Sequence, residues 1–123
     1  MADLGNTVFD SGLNQLNSLT ENLYILSGDP GLTWSNIAAL GLGSKASPTV
    51  SVAAERGAGG RESTITAITD GSVTGTGTAT HWALTDDSAT LILATQSLAS
   101  SQAVTSGNTF TLTEFTVGIP DPA

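Results

Sequence analysis

"ESTITAITDGSVTGTGTATHWAL" (residues 62–84) decides the fold. Two runs rich in Thr, Ile and Val flank Asp70-Gly71, a dipeptide that suits the positive φ angles of a two-residue β-hairpin turn. The spacing therefore predicts that "ESTITAIT" pairs with "SVTGTGTATHWAL" across that turn. Alternation then assigns faces, because successive strand residues point to opposite sides. Ile65 and Ile68 fall on opposite parities, so a single regular strand buries only one of them.

The same β pattern continues to the C-terminus. "SATLILATQSL" (88–98) follows a turn at Asp86-Asp87, and "QAVTS" (102–106) leads through Gly107-Asn108 into "TFTLTEFTVGI" (109–119). In that last run Phe110 and Leu112 share one parity, while Phe115, Val117 and Ile119 share the other. A period-2 pattern changes face only through an extra residue, which predicts a β-bulge near Thr113-Glu114. The expected core is Ile65, Ile68, Val73, Trp82, Leu84, Leu91, Leu93, Phe110, Leu112, Phe115, Val117 and Ile119.

Upstream, "NLYILSGDPG" (22–31) reads as a short apolar strand closed by a Pro30-Gly31 turn. "LTWSNIAALGLGSKASP" (32–48) is a long connection with one helical turn near Trp34. "TVSVAA" (49–54) places Val50 and Val52 on one face of a half-buried strand, and "ERGAGGRE" (55–62) is a loop. In the first twenty residues Leu4, Val8, Phe9, Leu13 and Leu16 recur at helical spacing, predicting a helix over residues 3–18 with Asp3 as its cap. Gly5 and Gly12 each cost it about 1 kcal/mol relative to Ala. Such a helix needs its own sheet or a neighbouring subunit to lie against. The organisation expected is a helical arm over residues 1–21 and an antiparallel β-sandwich or jelly-roll domain over 22–123.

Composition bounds the function. The chain has 123 residues and no cysteine, which excludes disulfides and cysteine nucleophiles. Eleven acidic and three basic residues give a formal charge of −8, which argues against nucleic acid as a partner. Yet only 11% of residues are charged, well below the roughly 25% of an average domain. Neutral short polar groups dominate, and such a surface is buried against protein at little desolvation cost. "MADLGNTVFD" lacks the features of a signal peptide, and "IAALGLG" (37–43) is too short to span a bilayer. The expectation is a protein made and used as it stands, with no membrane partner.

Candidate chemistry is sparse. His81 is the only histidine. On a strand it points away from Trp82, and Asp86-Asp87-Ser88 is ordinary turn material, so no third catalytic member is fixed. The carboxylates lack calcium-loop spacing, and one histidine makes no zinc site alone. "ERGAGGRE" lacks the Gly-Lys-Ser/Thr ending of a phosphate loop and runs into a β pattern. No catalytic, cofactor or metal residue is therefore expected. Lys45, Arg56 and Arg61 are the only cations, all in segments read as connections. With Leu4, Val8 and Phe9 of the weak helix, they are the residues expected to dock on a protein partner.

In order, these motifs resemble small structural proteins of tailed bacteriophages. "NLYILSGDPG" and the Gly-rich segment with Arg precede a "THxAL-x-D" strand, matched by Thr80, His81, Ala83, Leu84 and Asp86. An "LLA-x-x-x-L" strand is approximated by Leu91, Leu93, Ala94 and Leu98. A "V-x-x-G-(N/D)-T-(F/L)" strand is matched by Val104, Gly107, Asn108, Thr109 and Phe110. The resemblance covers roughly residues 22–121. It implies a non-enzymatic virion component, assembled in the host cytoplasm and carried on the particle. Two placements follow from it: a capsid decoration or cement protein, a homo-oligomer such as a trimer on the major capsid protein lattice, or a tail- or fibre-associated module that aids adsorption to the host.

Overall fold

The computed structural model describes residues 6–57 and 59–119. They form α1 (Asn6–Leu19), β1 (Asn22–Leu26), α2 (Ser35–Leu40), β2 (Gly41–Ala46), β3 (Ala54–Glu55), β4 (Arg61–Ile65), β5 (Ile68–Val73), β6 (Gly77–Asp86), β7 (Leu91–Val104), β8 (Thr109–Leu112) and β9 (Phe115–Ile119). The protein is mainly β, with antiparallel pairing throughout. A six-stranded sheet in the order β7-β6-β1-β2-β5-β8 curls into a half-barrel, and a three-stranded sheet has the order β3-β4-β9.

The expected hairpin across Asp70-Gly71 does not form. Both residues lie inside β5, whose neighbours are β2 and β8, while β4 pairs with β3 and β9. The glycine serves packing rather than turning: a Cβ at Gly71 would overlap the Phe110 ring, which is only 1% exposed. The chain instead changes sheets at Thr66-Ala67, between β4 and β5. That step lets Ile65 and Ile68 both be buried despite their opposite parity. A second step at Thr113-Glu114 carries β8 of the large sheet into β9 of the small one. The parity change there reflects a switch of sheet, not the expected bulge.

One core joins both sheets and α1. Leu13 and Leu16 of α1, Leu23, Ile25, Ile65, Val73, Trp82, Leu84 and Phe110 are buried together, with Leu93, Leu112, Phe115, Val117 and Ile119 packed against them. Trp82 of the large sheet meets Phe115 of the small one with ring centroids 4.5 Å apart. Leu91 departs from expectation and is exposed. A register shift opposite Leu84/Thr85 puts an extra residue into β7, and Ile92 takes the inward position.

The helix has its own domain to lie against. Asn17 Nδ2 donates to Val50 O (2.6 Å), and Asn14 Oδ1 accepts from Ala53 N (2.9 Å). The backbone of residues 50–53 is thus engaged by helix side chains, and "TVSVAA" makes only an isolated bridge, Val50 to Ile65, before the two-residue β3. Val50 is buried, whereas Val52 is exposed. The expected Asp3 cap lies outside the described residues. Near Trp34 the single helical turn is realised as α2, which runs directly into β2. Gly41 makes that junction possible, since a Cβ there would sit 2.6 Å from Ile37 O.

The role given to Gly71 has a direct test. Gly71→Ala should destabilise the protein by about 1–3 kcal/mol through overpacking against Phe110. A double-mutant cycle with Phe110→Leu should show coupling between the two sites. Additive effects in chemical denaturation would contradict the proposed contact.

Candidate functional site

His81 sits on β6 opposite Leu26 and Ser97, with Thr80 Oγ1 2.9 Å from its Nδ1. It is half-buried, while its neighbour Trp82 is buried, as strand alternation requires. Asp86 and Asp87 lie at the far end of β6 and its turn. Among the described residues, no three His, Cys, Asp or Glu side chains group closely enough to hold a metal ion. No helix among them is long and apolar enough to cross a membrane.

The Asp86-Asp87 turn is richer than its sequence indicates. Tyr24 Oη donates to Asp87 Oδ2 at 2.7 Å, and the fully buried Thr85 donates through Oγ1 to Asp87 Oδ1 at 2.6 Å. Burial, reinforced by this acceptor, pushes the Tyr24 hydroxyl up to about 12. Glu21 Oε1 accepts from Ser88 N at 2.9 Å, and Asp86 Oδ1 accepts from Ala89 N at 3.3 Å. Glu21 and Asp86 lie close enough for their carboxyl groups to interact and to shift each other's titration in opposite directions. The bond to Glu21, then burial, raises Asp86 above the ordinary carboxylate range. Bonds from Ser88 and from Asp86 hold Glu21 below it. This cluster fastens β1 to the β6–β7 hairpin. Sequence reading missed Glu21 and Tyr24; the usable signal was a tyrosine inside an apolar strand, whose hydroxyl needs a partner when buried.

Two of the expected docking cations, Lys45 and Arg61, lie in strands and not in connections. Lys45 lies in β2, its Nζ 3.0 Å from Asp70 Oδ2. Arg61 opens β4 and grips Asp10 of α1 through Nε (2.7 Å) and Nη2 (3.2 Å). The strands β2 and β4 extend past the segments that the sequence pattern marks as extended, which is why these cations look like loop residues. Both are engaged in holding this chain together. Arg56 alone sits in a loop, between β3 and β4, donating from Nη1 to Gly59 O at 3.0 Å. Val8 on α1 is exposed. Leu4 and the side chain of Phe9 lie outside the described residues.

Cavities open on the surface of the described residues. One of about 330 Å³ lies beside Tyr24 and Trp34, with Ser44 and Thr74 on its wall. Two others, of about 560 and 380 Å³, adjoin along β7.

The Glu21–Asp86 pair predicts a pH dependence. Asp86, raised in the fold, contributes stability at acid pH that is lost as pH rises through its folded value. Glu21, lowered in the fold, contributes above its ordinary value and loses that contribution only in stronger acid. Stability from this pair therefore peaks in mild acid and declines toward neutrality. Asp86→Asn, which keeps Asp86 neutral at every pH, should abolish that decline. Urea midpoints measured in mild acid and at neutrality check this, and an unchanged decline in the variant would refute the raised titration of Asp86.

No protein-family model matches this chain, and no curated protein or solved structure matches it either.

Proposed function

We propose that this chain is a non-enzymatic structural protein of a tailed bacteriophage virion, a decoration or cement protein that binds the major capsid protein lattice as a homo-oligomer. The observation that carries the reading is where the phage-like motifs fall. Ala83, Leu84, Val104 and Phe110 are buried, Leu93, Ala94 and Leu98 pack on the core, and Asp86 shapes the β6–β7 turn. Gly107 adopts φ 91° in the turn between β7 and β8. The motif residues are thus mostly those that build the half-barrel, which favours a shared architecture with those virion proteins rather than a shared catalytic site. In this reading the two sheets are the layers of a β-sandwich, a view supported by the core they share.

The low charge content supports a role in broad protein contact. Val8 and Leu32, both exposed, add apolar surface that an oligomer or the capsid lattice would cover. One feature favours the second placement, on the tail or fibres. The cavity beside Tyr24 and Trp34 presents two aromatic side chains and hydroxyls, the chemistry of a weak sugar site.

Purified virions separate these readings. A lattice-coating protein should approach the major capsid protein in copy number and give density over the head by electron microscopy. Density confined to the tail would favour the adsorption module, and absence from virions would overturn both.

A further inference from the structure

The curled sheet leaves a seam. β7 and β8 are its two end strands, and β8 runs on into β9, the end strand of the small sheet. β7 on one side and β8–β9 on the other therefore face each other as strand edges, each with one paired neighbour among the described residues. The space between them is one groove, because Trp82 and Gln96 line both the 560 Å³ and the 380 Å³ cavities. Trp82 packed on Phe115 supplies an apolar floor. At one end Gln102 Nε2 reaches across to Thr111 O at 3.0 Å. At the other end stands Arg56, beside Thr95 and Gly118.

We propose that this groove binds an extended segment of a partner polypeptide, added as a β-strand along the open edge and carrying an acidic side chain at the Arg56 end. A strand edge presents unpaired N–H and C=O groups that an incoming backbone satisfies. Native edges are commonly blunted by lysine or proline. β7 has neither in its 14 residues and carries no charge at all. Its bulges bend it with the curl of the sheet but leave the stretch Ala94–Ser97 in regular register with β6.

Charge selects the occupant. The protein carries eleven acidic residues, yet among the described residues no carboxylate lines either cavity, and the one charged group lining them is the cation Arg56. Lys45 and Arg61 are each held by an aspartate of this chain. Among the described residues, Arg56 makes no ion pair, and its guanidinium is the group suited to a carboxylate from outside. One cation on a −8 protein is a poor site for a phosphate backbone. It is a sufficient end-stop for a neutral strand that ends in an acid.

The groove is defined by the two edges and stands independently of the virion assignment, so the test uses the isolated protein. A fluorescent heptapeptide of alternating threonine and valine ending in aspartate is titrated by anisotropy, beside versions with a terminal lysine or a central proline. The acidic peptide should bind and slow amide exchange within β7. The proline version should not bind. The lysine version, and the Arg56→Gln protein with the acidic peptide, should each bind roughly tenfold more weakly, the scale of one charge-assisted hydrogen bond. Absence of binding, equal binding of the proline peptide, or protection elsewhere in the protein would overturn the proposal. So would protection of β7 through self-association without peptide, which would make a second copy the occupant.

Discussion

Four residues, Thr105–Asn108, connect strands that stand at opposite ends of a six-stranded sheet. Five inter-strand spacings of a flat sheet would separate those ends by about 24 Å. The step from Val104 to Thr109, even fully extended, spans only roughly 17 Å. The link is not extended: Asn108 N donates to Thr105 O (3.0 Å), and Gly107 N to Val73 O (2.9 Å). The sheet must therefore curl until its edges approach, and Gln102 reaching Thr111 O marks where they do. The half-barrel, its interior core and the seam along β7 all follow from this short connection.

Curling alone would leave the interior open on one side. The chain covers it by leaving the large sheet at Leu112 and entering the small one at Phe115, which brings the Phe115 ring against Trp82. The reverse passage, Ile65 to Ile68, leaves the small sheet at the same end, since Ile65 is paired with Phe115. Helix α1 then caps the arrangement: Leu13 and Leu16 enter the core, and Arg61 and Asp10 tie the helix to β4. A helix weakened by glycine is sustained by tertiary packing rather than by propensity.

Local signals in the sequence were legible where a residue's job was local. The apolar strand Asn22–Leu26, the turn at Gly107-Asn108, the helical spacing of Leu13 and Leu16, and most of the core could be read directly. Signals failed where a residue answered to a distant one. Gly71 looks like a turn glycine because the sequence cannot show Phe110 lying over it. The parity change after Leu112 looks like a bulge because one sequence cannot show two sheets. Among the site residues, Lys45 and Arg61 were visible as rare cations, but their aspartate partners lie 25 and 51 positions away. The Glu21, Tyr24 and Asp87 cluster was likewise invisible, since a separation of 63 residues divides tyrosine from its acceptor.

Residues 62–84 are divided between two sheets instead of forming one hairpin. Backbone NOE spectroscopy reads this directly. The fold described here predicts cross-strand contacts from Gly43 to Val73 and from Ser63 to Val117, with none pairing Ala67 with Thr74. A regular ladder linking Thr69 to Ser72 and Ala67 to Thr74 across Asp70-Gly71 would contradict it.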